Sequence, residues 1–441
     1  MAVVVLLAGV AAWRVGGSDR STRPSPGSAA RAHPLIALVA TDGSLATIDL
    51  AGRRTTLAAE AGVVSGFPAW SPDGTQVAAV QVGPADSAIS VYAVPRDGPA
   101  PSPSAPVVIY RSAAVPPFYL YWTPDGRHVS FLATEADGIS LRIAPSDGSA
   151  PLDGSGPGAI IRQGAPLYFD WIAADRLILH VGSGADAFLG EVGRDGSALG
   201  PGLADAGDFR PAVVGADGRF IAFVRGRTPT AALVVTARDG SAEHTLPVFG
   251  PAAAVFDPAG QTVATIASDS PSAADLAFPL GPLRLVDPAS GVVRTLLDGS
   301  VIGFFWSPDG RTIAALRLQR GSGSTTADGR IVSVAAIAAT TPEPTASPTP
   351  PPGTELHLLF LDVATGAVRS DRVVRLTSHF INQFLPYFDQ YALSHRVWAP
   401  DGSSILLPLV DSSGRDQLVI VPPDGSAGPP PIDGESGFWS P

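Results

Sequence analysis

The 441-residue sequence predicts an all-β fold in which a unit of four short strands recurs around a closed ring. Three observations predict this fold. A tryptophan-containing motif returns roughly every 50 residues, a second turn signal falls once in each interval, and the two chain ends supply complementary parts of one unit. Repeats of this length, made of short strands and tight turns, are typical of a β-propeller.

The first repeated feature is a short apolar or aromatic strand that ends in tryptophan, followed by a Ser-Pro-Asp-Gly turn and an alternating apolar strand. Its clear copies are FPAWSPDGTQVAAV at 67–80, LYWTPDGRHVSFLA at 120–133, FFWSPDGRTIAALRL at 304–318 and RVWAPDGSSILLPLV at 396–410. Its worn copies are FDWIAADRLILHV at 169–181, AVVGADGRFIAFV at 212–224 and AVFDPAGQTVATI at 254–266. Six of the seven tryptophans hold one position in this motif, namely Trp70, Trp122, Trp171, Trp306, Trp398 and Trp439.

The second repeated feature is a tight turn in which aspartate is followed closely by glycine, between two alternating segments. It occurs as DLAG at 49, RDG at 96, SDG at 146, RDG at 194, RDG at 238, DPASG at 287, DVATG at 362 and PDG around 424. Eight such turns imply eight units. Each unit then has two strand pairs, one around the tryptophan-motif turn and one around this second turn, which predicts four short antiparallel strands.

The two ends of the chain complete each other. The sequence stops inside an eighth copy of the tryptophan motif, GFWSP at 437–441, and residues 35–59 offer the three strands that this copy lacks. One blade made from both termini would close the ring and leave no free sheet edge. The sequence therefore predicts eight blades over residues 34–441, with seven as the alternative if the worn copy around Trp171 merges into a neighbour.

The N-terminal residues have a different composition. Residues 1–15 are largely apolar but too short to cross a bilayer, which takes about 20 residues. They predict either a short export signal or the tail of a membrane anchor that starts upstream of Met1, and we favour the anchor. The arginines that follow oppose export, because positive charge tends to stay in the cytoplasm. Residues 16–33 have the composition of a flexible linker.

The composition excludes several chemistries. All 29 basic residues are arginine and there is no cysteine. Lysine Schiff bases, phosphate-loop lysines, thiolate nucleophiles, disulfides and iron–sulfur clusters are therefore ruled out. A net charge of −11 argues against a nucleic-acid partner, because binding to phosphates needs a basic face.

The Trp-Ser-Pro-Asp-Gly repeat resembles the TolB-type, WD-repeat-like propeller blades of bacterial envelope proteins. The resemblance covers residues 34–441, and it implies a β-propeller outside the cytoplasm. It says little about function, because such blades occur in binding proteins and in peptidases. We expect no separate N-terminal α/β domain of the TolB kind among the residues before 34, so the resemblance is to the propeller blades and not to TolB as a whole.

The repeated aspartates and tryptophans predict structure rather than chemistry. The motif aspartates should accept backbone hydrogen bonds within their own turns, and they are Asp73, Asp125, Asp217, Asp309 and Asp401. The six motif tryptophans should be buried between neighbouring blades. No Gly-x-Ser-x-Gly or His-Glu-x-x-His motif occurs, and the seven histidines are scattered. The sequence therefore predicts neither a metal site nor a cofactor.

Two inserts interrupt the repeat. Residues 340–353 are rich in proline and threonine, which predicts a solvated loop or, alternatively, a partner-docking or glycosylated strand. Residues 378–396 carry aromatic side chains at helical spacing just before the seventh tryptophan motif. This aromatic insert should lie at one mouth of the central channel. The candidate binding residues there are Phe384, Tyr387, Asp389, Gln390, Tyr391, His395 and Arg396. The alternative is an amphipathic segment that plugs the channel.

These observations favour a non-catalytic, membrane-tethered propeller of the cell envelope, periplasmic or extracellular, that acts as a binding or protein-interaction scaffold. Its expected partners are a protein, a peptide or a small molecule, and its membrane contact is expected through the N-terminal segment alone. Two alternatives stay open. One is a hydrolase or lyase with its site in the channel, and the other is the sensor domain of a longer membrane protein.

Overall fold

The computed structural model describes residues 34–94, 105–149, 158–182, 187–200, 202–203, 212–227, 230–271, 278–320 and 354–441. The predictions for residues 1–33 and for the insert at 340–353 lie outside this part of the chain. The described residues form short antiparallel strands and a single helical segment. None of their helices is long and apolar enough to span a bilayer.

The strands are numbered in chain order. The first half comprises β1 Leu35–Val39, β2 Leu45–Asp49, β3 Arg54–Ala58, β4 Val64–Trp70, β5 Gln76–Val82, β6 Ser87–Ala93, β7 Val107–Ser112, β8 Pro117–Trp122, β9 His128–Glu135, β10 Gly138–Pro145, β11 Ala159–Gln163, β12 Leu167–Ala173, β13 Arg176–Val181 and β14 Phe188–Gly193. The second half comprises β15 Ala212–Val214, β16 Phe220–Arg225, β17 Ala232–Ala237, β18 Glu243–Pro247, β19 Phe249–Phe256, β20 Val263–Ser268, β21 Gly281–Val286, β22 Val293–Trp306, β23 Thr312–Arg320, β24 Thr354–Asp362, β25 Val368–Val373, β26 Ile405–Val410, β27 Asp416–Val421 and β28 Ser436–Trp439.

These strands pair into antiparallel sheets that follow the sequence repeat. Four sheets have four strands, in the orders β28-β1-β2-β3, β4-β5-β6-β7, β8-β9-β10-β11 and β15-β16-β17-β18. A seven-stranded sheet runs from β19 to β25 because β22 is uninterrupted: its first half pairs with β21 and its second half with β23. The predicted all-β propeller is confirmed, while the number of eight blades stays a prediction.

The first strands of neighbouring sheets contact one another and line the centre of the ring. Strand β4 contacts β28 and β8, and β15 contacts β12 and β19. The motif turns follow these first strands at one end of the ring, which we call the turn face. The opposite end carries the connections into the first strands and the helical segment, and we call it the helix face.

The two chain ends close one sheet, as the sequence predicts. Strand β28 pairs with β1 in a register that places Trp439 opposite Ile36 and Ser436 opposite Val39. Just beyond the strand, the Ser440 amide donates to the Leu35 carbonyl at 2.8 Å. N-terminal and C-terminal segments therefore share one sheet and its backbone hydrogen bonds.

The motif turns hold their aspartates by local hydrogen bonds. Asp73 accepts from the Ser71 hydroxyl at 2.6 Å and from the Thr75 amide at 3.0 Å. Equivalent bonds link Thr123 and Arg127 to Asp125, Ser307 and Arg311 to Asp309, Arg219 to Asp217, and Ser403 to Asp401. The glycine after each of these aspartates has φ between 68° and 72°, a left-handed conformation that disfavours residues with a Cβ.

The motif tryptophans tie neighbouring blades together. Trp122 Nε1 donates to the Ala69 carbonyl at 2.9 Å, and Ala69 immediately precedes the tryptophan of the previous copy. The same kind of bond joins Trp70 to Phe438, Trp306 to Val255 and Trp398 to Phe305, and Trp171 Nε1 instead donates to the Ser130 hydroxyl. Trp439 is the exception, because its Nε1 is buried without a hydrogen-bond partner among the described residues.

This exception gives a test of the inter-blade bond. We expect Trp122→Phe to lower the free energy of unfolding by about 1–3 kcal/mol more than Trp439→Phe. Both changes replace a buried indole by a smaller ring, but only the first removes a hydrogen bond, the one from Trp122 Nε1 to the Ala69 carbonyl. Urea unfolding of the two variants measures the difference, and equal losses would show that the bond contributes nothing.

Two blades have fewer regular strands than the four predicted. Strands β12–β14 form a separate three-stranded sheet. The described part of the next segment adds a bridge from Ala198 to Val192 and backbone hydrogen bonds from Leu199 and Leu203 to β14, but no regular strand. Strands β26 and β27 form a two-stranded sheet, extended by single bridges at Trp398 and Ile432. Prolines explain much of the second case. Residues 422–431 contain five of them, and proline has no amide hydrogen to donate to a neighbouring strand.

Candidate functional site

The aromatic insert folds into one helical segment at the centre of the ring. It comprises a π-helical turn at Phe380–Phe384, a 3-10 turn at Leu385–Tyr387 and the helix α1 at Phe388–Ser394. Helix α1 contacts β8, β12, β19 and β22, which lie in different parts of the ring. The segment therefore lies across the channel at the helix face.

Aromatic rings anchor this segment. Phe384 stacks on Phe380 at 4.5 Å between ring centroids and on Tyr391 at 4.6 Å. Phe388 packs edge-on against Phe304 of β22 at 5.2 Å. Large buried rings contribute strongly to packing, so these contacts explain why the segment takes a fixed place in the channel.

The seven candidate binding residues divide into two groups. Phe384, Asp389, Gln390, Tyr391 and His395 are buried, whereas Tyr387 and Arg396 are exposed. The burial of the first group favours the plug interpretation for most of the segment. Tyr387, with 52% of its surface exposed, is left as an aromatic side chain on the helix face. A binding role for the set stays a prediction.

A chain of hydrogen bonds links the buried polar groups. The Tyr119 hydroxyl donates to the Gln390 carbonyl at 2.9 Å, and the Ser394 hydroxyl donates to the Tyr119 oxygen at 3.1 Å. The Ser394 oxygen lies 2.7 Å from His395 Nδ1. Tyr119 was not among the sequence-predicted site residues. The sequence signal that could have identified Tyr119 is its position three residues before Trp122. Phe67 holds the same position before Trp70.

Both of these aromatic residues have an unusual backbone. Phe67 has φ of 51° and Tyr119 has φ of 46°, and they are the only non-glycine residues with positive φ among those described. The ladder register shifts at the same places, between Gly66 and Ala69 and between Phe118 and Leu120. Such bulges turn a side chain out of the regular strand pattern, here at the helix face.

Two carboxyl groups are buried inside the ring. Burial raises the pKa of Asp389 to about 7. Asp170 of β12 accepts a hydrogen bond from the Tyr121 hydroxyl at 3.0 Å and another from the Val214 amide at 3.3 Å. Burial raises the pKa of Tyr168 well above its usual range, and the charges of both carboxyl groups add to that shift. Asp170 has no motif that singles it out, so sequence reasoning missed it.

His395 is neutral in this environment. Its side chain is 2% exposed, and burial lowers its pKa to about 3. Its ring meets Phe438 of β28 edge-on at 4.6 Å and Tyr391 at 5.2 Å. His395 Nε2 has no hydrogen-bond partner among the described residues.

A small cavity of about 30 Å³ opens beside His395 at the helix face. Aromatic and aliphatic side chains form most of its wall, including Phe67, Phe384 and Phe438. Two exposed polar side chains, His379 and Gln383, also line it. No group of three or more metal-ligating side chains occurs in the part of the chain that the structure describes.

Comparisons with known proteins bear on the fold. No family model matches the chain, and no curated protein matches its sequence. A eukaryotic initiation factor structure is similar at 10% identity and a TM-score of 0.51, covering 92% of this chain and 98% of that one. The dihydro-heme d1 dehydrogenase NirN is similar at 12% identity and a TM-score of 0.51, covering 93% and 76%.

TolB from Acinetobacter baumannii is also similar, at 17% identity and a TM-score of 0.36 over 59% of this chain. The matched region spans 62% of the TolB chain. At this TM-score the match adds no argument, so the TolB-type resemblance rests on the sequence repeat. At 10–17% identity, what these comparisons show is a shared fold.

Proposed function

We propose that the chain is a non-catalytic, extracytoplasmic β-propeller that binds partner proteins or peptides at its helix face and is tethered to a membrane by its N-terminal region. The observation that carries the proposal is the filled channel. Phe384, Phe388 and Tyr391 pack across the ring centre, so a partner meets the outer surface of the helical segment.

The helix face offers an anchor for such a partner. Tyr387 is an exposed aromatic residue between two buried ones, Leu385 and Phe388. It therefore sits on a helical segment whose neighbours are fixed by packing. Tyrosines on rigid supports are frequent hot spots of protein interfaces. Extracytoplasmic location and membrane tethering rest on the sequence repeat and on the apolar N-terminal residues.

A second candidate function has one observation in its favour. The charges of the buried carboxyl groups of Asp389 and Asp170 both add to the raised pKa of Tyr168. A carboxyl group with a strongly raised pKa, as Asp389 has, is a feature of many active sites. A hydrolase or lyase in the channel would use such groups. Turnover of a substrate by the purified full chain would establish it and remove the scaffold proposal.

The scaffold proposal is tested by site-specific photo-crosslinking in the native cell envelope. A photoreactive phenylalanine at position 387 should give a discrete adduct, because this side chain lies on the proposed interface. The same residue at position 50 is the matched control, since Leu50 is 56% exposed but lies in the β2–β3 turn on the turn face. Equal adduct patterns at both positions would contradict a partner site on the helix face.

A further inference from the structure

The cavity beside His395 has mostly aromatic and aliphatic walls, and His395 is the buried polar side chain among the residues that line it. The rings of Tyr391 and Phe438 contact the His395 ring, and Phe384 and the half-buried Phe67 also line the cavity. The enclosed volume of about 30 Å³ suits a hydroxyl group and the atoms next to it, while the rest of a ligand would lie at the mouth.

The hydrogen-bond chain indicates which nitrogen of His395 carries the proton. The Gln390 carbonyl can only accept, so the Tyr119 hydroxyl uses its hydrogen there. The Tyr119 oxygen then accepts from the Ser394 hydroxyl, and the Ser394 oxygen is left to accept from His395 Nδ1. This order satisfies all three contacts, and the longer contact of the Ser394 hydroxyl with the Tyr391 carbonyl, at 3.4 Å, also has Ser394 as the donor. It assigns the hydrogen to Nδ1 and leaves Nε2 as an acceptor.

That acceptor has no partner among the described residues. Because Nδ1 is turned toward Ser394, the opposite ring edge with Nε2 is the part of His395 left to line the cavity. An unpaired buried acceptor is unfavourable, and a ligand that donates a hydrogen bond removes this cost. The surrounding rings disfavour a charged ligand, because they offer little to replace its hydration.

The mouth supplies an aromatic contact for the ligand. Phe67 and Tyr119 are equivalent in the repeat and share the same left-handed backbone conformation. The helical segment covers Tyr119, whose ring meets Tyr391 at 5.0 Å, but leaves Phe67 only half-buried. Nε2 itself is buried, so a ligand would displace exposed lining side chains, such as Gln383, as it enters.

We propose that this cavity binds an uncharged phenolic group, whose hydroxyl donates a hydrogen bond to Nε2 of His395 and whose ring contacts Phe67. The phenol can be a free molecule or the side chain of a tyrosine in a partner. The inference rests on the proposed binding function, and it names the chemistry that the helix face would recognise.

The first test compares donor and non-donor probes on the full wild-type chain. Phenol should bind at least about tenfold more tightly than anisole, which has the same ring but no hydroxyl hydrogen. N-acetyl-tyrosinamide and N-acetyl-phenylalaninamide form the peptide pair. Preference for N-acetyl-tyrosinamide together with phenol indicates a partner's tyrosine as a source, and preference for phenol alone indicates a free ligand. Equal binding within each pair would overturn the proposal and would indicate that the cavity holds only an ordered water.

A second test locates the bond. The ¹⁵N resonance of His395 Nε2 should shift with phenol and stay in place with anisole. His395→Phe keeps a ring of similar shape and should abolish the preference for phenol, whereas His244→Phe on β18 should retain it. A preference that survives His395→Phe in a folded variant would overturn the assignment.

The outcome is separable from that of the proposed function. If phenol is recovered unchanged and shows no preference over anisole, the phenol site is wrong while the scaffold function stands on the crosslinking result. If the probe is chemically converted, the non-catalytic function is wrong.

Discussion

Replacing Asp389 by asparagine should stabilise the protein increasingly as pH rises from about 4 to 7, by about 1.4 kcal/mol per pH unit relative to wild type. The folded state holds the Asp389 proton up to a pKa of about 7, whereas the unfolded chain releases it near 3.8. The stability associated with this group is therefore complete below pH 3.8 and is lost as pH rises through 7. Above pH 7 the variant should exceed wild type by about 4 kcal/mol.

His395 should produce the opposite slope. Its pKa falls from 6.5 to about 3 on folding, so its contribution is complete above pH 6.5 and is lost as pH falls through 3. Between pH 4 and 6.5 the contributions of the two groups cancel in the wild-type protein. Asp389→Asn removes one of them and reveals the other.

Urea unfolding from pH 4 to 8 measures these slopes. Asp298→Asn is the matched control, because it makes the same chemical change at an exposed position on β22. Its profile should follow wild type. If Asp389→Asn also ran parallel to wild type at every pH, the carboxyl group would have to be hydrated in the folded protein, and the plug interpretation would weaken.

Phe388→Ala should lower the free energy of unfolding by about 3–5 kcal/mol. The Phe388 side chain has no exposed surface, and it packs against Phe304 and Phe305 at ring distances of 5.2 and 5.9 Å. Its removal leaves a hole at the ring centre that surrounding strands cannot easily fill. The adjacent Tyr387→Ala should change stability by no more than about 0.5 kcal/mol, because that side chain is largely exposed.

Comparing these two variants distinguishes a helical segment that is packed into the channel from one that only covers it loosely. Chemical unfolding of both variants gives the comparison, with wild type as reference. Small and equal effects at positions 387 and 388 would mean that the helical segment leaves the channel readily in solution. A large effect at 388, together with a discrete crosslinked adduct from the photoreactive residue at 387, would assign packing and partner contact to adjacent residues.

The repeat made most of the fold predictable. The tryptophan positions and the aspartate–glycine turns are local signals, and they were sufficient to predict the pairing of β1 with β28 across the whole chain. The local signals did not predict the structure after β27, where prolines lack the amide hydrogen that a strand donates to its neighbour. There the fourth strand is reduced to a bridge at Ile432, although the turn at Asp424 has the expected sequence.

The site was less predictable for a physical reason. The spacing of aromatic residues predicts a helical segment at 378–396, but it does not say which neighbours are buried, and Tyr387 and Phe388 differ completely. The hydrogen-bonding partner Tyr119 lies 271 residues from Gln390, and Asp170 lies on another blade. Only the closure of the ring brings these residues together, so no local pattern could connect them.

The uninterrupted strand β22 has a consequence for how the ring comes apart. It serves as the outer strand of one blade and the inner strand of the next, without a connecting loop between them. Elsewhere a blade can lose its pairing while the adjoining connection absorbs the movement. Here a displacement on one side is carried directly along the same backbone. We therefore expect the two blades that share β22 to open and close together, as one cooperative unit.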